Sequence, residues 1–377
     1  MLACGEKEGE KAPAPRRDAA PLRADAGGES TGLYLHAASR CGDCHDKMFG
    51  EWRASAHARS ASSPAFIAMR QGASAACDVC HRPLARYRAP ASVAKDGVTC
   101  DVCHTLRAVD VDREPPLFDL EVAQPVKYGP YCQLADHYFH RMGCSPLHRK
   151  SELCAACHQL EQNGLSIYTS YREWRGTRYA KQGVQCQDCH MPSVRAPIAE
   201  GAAERERIGD HGLAVRGGPG LALEVTARGQ GAAILVEVTV ENRGAGHHLP
   251  TGSPDRRLVV RASARDSGGG EASRAEIAFG RLLVDASGQV APHQRAVRAG
   301  EDTRIPAGGR ARRQLSLPGA PAEGAVRVEL VRRAIDPAIA AALGVEPPPD
   351  QVVLTAELPF SAAHRARDLA RRVRGEP

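Results

Sequence analysis

A short pattern, Cys-x-x-Cys-His, occurs five times between residues 41 and 190 of this 377-residue chain. The copies begin at Cys41, Cys77, Cys100, Cys154 and Cys186. With 13 Cys and 15 His in the chain, random placement would produce about 0.02 such patterns. Chance is therefore excluded as the origin of the repeat.

Each copy carries the groups that attach a haem c covalently. Two thiols three positions apart add to the two vinyl groups of the porphyrin, and the adjacent imidazole becomes the proximal iron ligand. Paired Cys-x-x-Cys also binds zinc, but a zinc site does not require a His after every pair, and here all five pairs have one. We therefore predict five covalent haem c groups, attached through Cys41, Cys44, Cys77, Cys80, Cys100, Cys103, Cys154, Cys157, Cys186 and Cys189, with proximal ligands His45, His81, His104, His158 and His190.

The composition fits this prediction. Aromatic residues make up only 4% of the chain, so we expect haem to supply part of the apolar core. The formal charge of +6, taken alone, suggests an anionic partner such as nucleic acid. Two propionates on each of five haems would bring that charge to about −4, so no nucleic-acid partner is expected.

The N-terminus, residues 1–30, resembles a processed lipoprotein. Met1-Leu2-Ala3-Cys4-Gly5 has the small residues that precede a lipidated Cys, although no charged and apolar leader stands before them. Cys4 is either a membrane anchor or an ordinary Cys in a tail. Residues 6–30, rich in Pro, Ala, Gly and charges, indicate a flexible tether. Because haem c is attached outside the cytoplasm, the predicted location is the periplasm or outer surface.

The remaining chain indicates an α+β fold with two domains. Residues 31–200 hold all five motifs among short helical patterns and indicate a mainly helical, haem-packed domain. Residues 201–220 are predicted to be a linker. Residues 221–360 contain short alternating apolar runs, which are typical of an antiparallel β-sandwich. Residues 361–377 indicate a basic tail, helical or frayed.

Strand runs are predicted within residues 221–226, 233–240, 257–262, 325–331 and 352–358. A turn is expected at residues 228–231, and a short helix at 336–344. In the first domain, the short gap between Cys77 and Cys100 predicts that the second and third haems are close neighbours. Cys132 and Cys144 lie outside the motifs and are predicted to form a disulfide, which an oxidising compartment permits.

The sixth iron ligands separate electron transfer from catalysis, because a haem capped on both sides binds no substrate. Ten His remain after the five proximal ones. His57 follows a helical segment that starts at the first motif, and His36 shortly precedes that motif. Methionine is the rival ligand, but Met48, Met69 and Met142 have no supporting pattern. We therefore expect bis-His haems of low potential.

Residues 40–360 resemble bacterial multihaem cytochromes c related to the tetrahaem electron carrier of nitrifying bacteria and, more remotely, to hydroxylamine oxidoreductase. The resemblance rests on the motifs together with Glu51-Trp52-x-x-Ser55-x-His57, Gly97-Val98-Thr99-Cys100, Tyr128-Gly129-Pro130, Ser151-Glu152-Leu153-Cys154, Glu173-Trp174 and Gly246-His247-His248-Leu249-Pro250-Thr251-Gly252.

This resemblance implies distal ligands at His57, His140 and His211, and a fourth at His247 on a loop of the sandwich. His248 is the alternative to His247, and His36 completes the set of five. The tetrahaem carrier has one haem fewer and leaves one iron open, so this chain departs from it in haem count.

The function expected from these features is a relay of single electrons between redox partners, either cytochromes or quinol-linked membrane complexes. One alternative is a reductase of nitrite or hydroxylamine at a five-coordinate haem, with Asp136 and Tyr138 near a haem face. A second alternative is a docking or structural subunit of an extracellular cytochrome assembly.

Overall fold

A computed structural model of the chain describes residues 32–71, 75–213, 220–361 and 369–375. These residues contain helices and antiparallel sheets, which confirms the α+β prediction. The predicted lipid anchor at Cys4 and the tether lie outside the described residues. No helix within the described ranges has the length and apolar character needed to cross a membrane.

The helices are short and mostly belong to the N-terminal part. Their bounds are α1 Ala38–Gly42, α2 Asp46–Ala54, α3 Pro64–Arg70, α4 Asp78–His81, α5 Ala91–Ala94, α6 Cys100–His104, α7 Glu152–His158, α8 Ser170–Arg175, α9 Arg178–Lys181, α10 Cys186–His190 and α11 Pro337–Leu343. Four motifs end on the last residue of a helix, namely α4, α6, α7 and α10. One helical turn places both thiols and the imidazole on the same side, as a haem attachment requires.

Small two-stranded sheets connect these helices. They are formed by β1 Leu106–Asp110 with β2 Leu117–Leu120, β3 Val126–Gly129 with β4 Arg141–Cys144, β5 Leu160–Gln162 with β6 Leu165–Tyr168, and β7 Ser193–Pro197 with β8 Glu204–Gly209. Only β3 and β4 run parallel among these pairs. The predicted linker, residues 201–220, therefore contains a strand, β8, which pairs with the chain that leaves the fifth motif.

The C-terminal part is built on two four-stranded antiparallel sheets. Its strands are β9 Leu221–Gln230, β10 Ala233–Asn242, β11 Arg257–Asp266, β12 Glu271–Phe279, β13 Arg281–Val284, β14 Arg298–Asp302, β15 Arg310–Pro318, β16 Gly324–Arg333, β17 Gln351–Phe360 and β18 Leu369–Arg374. The first sheet has the order β15-β10-β9-β18, and the second has the order β12-β11-β16-β17. Strands β13 and β14 form a separate pair.

One hydrophobic core joins the two large sheets. Val225 and Val238 from the first sheet and Val260 and Val328 from the second belong to the same cluster, and all four are buried. Their alternation with polar residues produces the pattern on which the strand predictions depend. All five predicted strand runs lie in strands, and the predicted helix is α11.

The prediction of a helical or frayed C-terminal tail is wrong for residues 369–374. They form β18, which pairs in antiparallel register with β9, Leu369 opposite Ala227 and Arg374 opposite Ala222. The β9 backbone supplies hydrogen-bond partners that a solvated tail would not have. This ladder, rather than the basic side chains, determines the local conformation.

Candidate haem-binding site

Thiols from different motifs meet inside the N-terminal part. Cys41 lies within hydrogen-bonding reach of Cys100, and Cys80 within reach of Cys157. A third contact of this kind joins the fourth and fifth motifs. Cys103 of the third motif also lies close enough to Cys154 and Cys157 of the fourth to raise their pKa values. Together these interactions join the five attachment sites into one cluster, in which the fourth motif interacts with the second, the third and the fifth.

None of these thiol contacts joins the second motif to the third, whose haems are predicted to be close neighbours. The third motif contacts the first, and the second contacts the fourth. The 23-residue separation of Cys77 and Cys100 is occupied by a 3-10 turn, Pro83–Tyr87, and by α5. The second motif lies beside α7, and the close pairing of the second and third haems stays a prediction.

Three proximal imidazoles are oriented by backbone carbonyls. The Nδ1 atoms of His45 and His104 lie 2.6 Å and 2.7 Å from the carbonyl oxygens of Ile198 and Tyr128. The Nδ1 atom of His81 lies 3.3 Å from the carbonyl oxygen of Ser60. An Nδ1–H bonded in this way leaves Nε2 as the metal-binding atom, as in most metal-ligating histidines.

Four proximal imidazoles each face a second imidazole. A ring centre lies about 1.1 Å from its nitrogen and an iron–nitrogen bond is about 2 Å long, so two imidazoles on one iron have ring centres about 6.3 Å apart. The observed distances are 6.4 Å for His45 and His140, 6.2 Å for His158 and His57, 6.3 Å for His104 and His211, and 6.3 Å for His190 and His247. The protein therefore places these four pairs at the spacing that an iron between them requires.

Burial keeps five of these imidazoles neutral, the form that binds iron. Burial lowers the pKa of both His104 and His158 to about 3. Burial is likewise the largest cause that lowers the pKa of His57, His211 and His247. A neutral ring offers a lone pair without first losing a proton.

His57 is held by the segment before the third motif. The indole of Trp52 donates to the carbonyl of Val98 at 2.8 Å, and the Val98 N–H donates to the carbonyl of His57 at 3.2 Å. Gly97 has φ of 73°, and a Cβ there would meet the His57 carbonyl at 2.8 Å. A side chain at position 97 would therefore displace the segment that carries His57.

His140 lies in a loop closed by the predicted disulfide. Cys132 and Cys144 are bonded, which confirms that prediction. The carbonyl of His140 accepts from the N–H of His137 at 3.1 Å. His211 is held from another direction, because its N–H donates to a carboxylate oxygen of Glu51 at 2.9 Å.

The fourth distal candidate, His247, lies on the loop between β10 and β11, and its neighbours in that loop contact Glu173 of α8 in the N-terminal part. This buried carboxylate accepts from the N–H of His248 at 3.0 Å and from the hydroxyl of Thr251 at 2.9 Å, and it pairs with Arg304. His247 Nδ1 lies 2.9 Å from the His248 carbonyl. The ring opposite His190 is that of His247.

Asn242 is a further positioning residue that the sequence did not reveal. Its side-chain amide donates to the carbonyl of His247 at 2.9 Å and is completely buried. An asparagine at the end of β10 has no sequence pattern that would distinguish it from an ordinary turn residue.

The second motif is different. The ring of Phe66 stacks on His81 with centres 4.5 Å apart and an interplanar angle of 16°. The buried imidazole of His293 lies near enough to His81 for the two rings to interact electrostatically, and burial is the largest cause that lowers the pKa of His293. His36, the fifth predicted distal ligand, has its ring 4.8 Å from that of Phe139, and its N–H donates to Asp101 at 2.7 Å. Its ligation stays a prediction.

Asp136 and Tyr138 lie in the loop between β3 and β4. Asp136 accepts from the N–H of Met142 at 2.9 Å, and the side chain of Tyr138 is 78% exposed. This arrangement explains Asp136 as a loop-stabilising residue and places Tyr138 at the protein surface.

Comparisons with known proteins agree with this geometry. Residues 40–105 match the family described as cytochrome c554 and c-prime. The fold is similar to the crystal structure of a penta-heme cytochrome c552 from Thermochromatium tepidum, with a TM-score of 0.66 and 22% identity over 87% of this chain and 99% of that one. No curated protein matches the chain. The family match concerns residues 40–105, and the similarity to the solved structure shows a shared fold.

Proposed function

We propose that this chain carries five covalent haem c groups and relays single electrons between redox partners in the periplasm or at the cell surface. The observation that carries the proposal is the set of four imidazole pairs at 6.2–6.4 Å. A haem held between two imidazoles exchanges electrons without binding a substrate. The motif count supports five haems, as does the similar fold of a protein described as a penta-heme cytochrome.

The residues around the motifs suit a relay. Thiol contacts join the first motif to the third, the second to the fourth, and the fourth to the fifth. Neighbouring attachment sites would keep the steps between haems short. Carbonyl acceptors orient three of the proximal imidazoles, which limits the structural change that accompanies a change of charge.

The proposal includes two domains and a location. Residues 31–200 would pack around the haems, and the two large sheets of residues 221–360 would form a sandwich that supplies His247. Lipidation of Cys4 would hold both domains near a membrane, where the partners would be quinol-linked complexes or other cytochromes. Mass spectrometry of the mature N-terminus would test the anchor.

Haem analysis and electron paramagnetic resonance test the relay. A haem-to-protein ratio of five is expected, with low-spin ferric signals from the four imidazole pairs. A stepwise redox titration should remove five electrons per molecule from the fully reduced protein. A ratio below five, or high-spin signals dominating the spectrum, would contradict the proposal.

A second candidate function is a reductase of nitrite or hydroxylamine. One observation favours it, because the ring that stacks directly on His81 is that of Phe66, which has no atom that could ligate an iron. An iron held there on one side only could bind a small molecule. Carbon monoxide binding to the reduced protein would separate this candidate from a relay in which every iron is capped.

A further inference from the structure

The sixth ligand of the second haem is the one that the four imidazole pairs leave unassigned. The ring of Phe66 does not lie at that position. Two rings on opposite sides of one iron have centres about 6.3 Å apart, whereas Phe66 and His81 stack with their centres 4.5 Å apart, which leaves no room for an iron between them. Phe66 therefore packs on the face of the imidazole, and the distal side of the second haem is available to another group.

His293 is the imidazole that the fold brings to the second motif. It lies in the loop between β13 and β14, and its ring is near enough to that of His81 for the two to interact electrostatically. The next residue, Gln294, donates its side-chain amide to the carbonyl of Met69 in α3 at 3.4 Å. The ring centres of His293 and Tyr168 of β6 are 6.5 Å apart. The loop therefore lies between α3 and β6, beside the second motif.

Contacts with α11 fix the same loop within the C-terminal part. The guanidinium of Arg295 donates to the carbonyl of Ala342 in α11 at 2.8 Å. Val290 packs in a small hydrophobic cluster that contains Ile339 of α11 and Ala65 of α3. Because these contacts already order the loop, binding of iron by its imidazole would cost little conformational entropy.

Two buried polar atoms beside this loop have no hydrogen-bond partner among the described residues. They are Nδ1 of His293 and Oδ1 of Asp255, and the two side chains are near enough to interact electrostatically. Asp255 is 3% exposed, and its Oδ2 accepts from the hydroxyl of Ser253 at 2.8 Å, which holds the carboxylate in place. A hydrogen bond from the His293 Nδ1–H to Oδ1 would satisfy both atoms and leave Nε2 as the iron-binding atom, as in other carboxylate–histidine–metal arrangements.

We propose that His293 is the sixth ligand of the second haem and that Asp255 orients its ring by accepting from the Nδ1–H. This inference rests on the proposed haem attachment at His81. It deepens the proposed relay, because every iron would then lie between two imidazoles. The C-terminal part would supply two of these imidazoles, His247 to the fifth haem and His293 to the second.

This assignment differs from the sequence-based expectation of His36. The N–H of His36 donates to Asp101 of the third motif at 2.7 Å, and its ring centre lies 4.8 Å from that of Phe139. These contacts place His36 beside the first and third motifs, whose proximal imidazoles already face His140 and His211.

The spin state of the second haem tests the ligand. The oxidised holoprotein should show five low-spin haems by electron paramagnetic resonance, and the reduced protein should bind no carbon monoxide. His293→Ala should convert one haem to high spin and let the reduced variant bind one carbon monoxide per molecule, and imidazole added to the solution should restore the low-spin spectrum. His36→Ala, and the matched control His137→Ala at an exposed position, should keep five low-spin haems.

Redox titration of conservative variants tests both residues even where an alanine variant does not fold. Methionine raises the potential of a haem relative to histidine, so His293→Met should move one of the five steps to higher potential while that haem stays low spin. Asp255→Asn should move the same step upward by less, because the ring becomes a weaker donor. Its matched control, Asp112→Asn at an exposed position, should move no step. In the His293→Met protein, Asp255→Asn should have a smaller effect than alone, because the ring through which it acts is absent.

Three outcomes would overturn the ligand assignment: carbon monoxide binding to the unaltered protein, five low-spin haems in a folded His293→Ala variant, or a high-spin haem in His36→Ala. An equal effect of Asp255→Asn with and without His293 would overturn the orienting role of the carboxylate. A failure of the assignment alone is recognisable, because the protein would still contain five haems and take up five electrons. A haem-to-protein ratio below five would contradict the proposed function itself.

Discussion

Replacement of Glu173 by alanine should destabilise the contact between the N-terminal part and the large sheets of the C-terminal part. The Glu173 and Arg304 side chains are 6% and 8% exposed, and Glu173 also accepts from Thr251 and from the His248 N–H. Removing one member of a buried ion pair typically costs about 3–5 kcal/mol, because the other charge stays buried. Arg304 keeps a second partner, Asp302, at 2.8 Å, so we expect the lower end, about 3 kcal/mol.

Denaturant unfolding followed by circular dichroism measures that loss. The matched control is Glu237→Ala, which removes a carboxylate paired with Arg312 on the exposed face of the first sheet. Solvent screens exposed pairs, so the control should change the free energy of unfolding little. The same Glu173→Ala protein should show a high-spin contribution from the fifth haem, since His247 loses its support. Equal stability in the two variants, with an unchanged resonance spectrum, would refute the reasoning.

Three further predictions concern other parts of the chain. Replacing Cys132 and Cys144 together by serine should lower the free energy of unfolding by about 3 kcal/mol, measured by denaturant titration, because the unfolded chain gains loop entropy. His247→Ala should convert one low-spin haem to high spin while His248→Ala should not, and the reverse result would assign the ligand to His248. Burial raises the pKa of Glu276, but hydrogen bonds from three arginines outweigh it and lower the pKa to about 2. The stability that ionised Glu276 contributes is therefore complete above pH 4.5, its ordinary pKa, and is lost as the pH falls from 4.5 to about 2. Glu276→Gln should flatten the curve of unfolding free energy against pH in that range, and a curve as steep as that of the wild type would contradict this prediction.

The large sheets were predictable where their strands are central. Strands β9, β10, β11 and β16 each have two neighbours in their sheets, and all four were recognised from alternating apolar residues. The unrecognised strands of these sheets, β12, β15 and β18, are all at sheet edges. These three strands are rich in exposed polar residues, whereas β17, the fourth edge strand, keeps an apolar alternation over residues 352–358 and was recognised from it.

The candidate site likewise contains residues that local sequence patterns reveal and residues that they do not. The motifs are local, so five attachment sites could be inferred from spacing alone. The positions of His57, His140, His211 and His247 followed from resemblance, because each lies far along the chain from the imidazole it faces. His293 has no pattern around it, and only the folded loop between β13 and β14 brings it to the second motif.

The position of His247 has a consequence for the order of assembly. His190 is in place as soon as its own motif helix, α10, has formed. The imidazole that faces it, His247, lies 57 residues later, on a loop that is positioned only when β10 and its neighbours have folded. On the proposed ligation, the fifth haem stays open on one side until the large sheets form. The spin state of the fifth haem would then report whether the C-terminal part has folded, so that a single iron would distinguish fully folded molecules from partly folded ones.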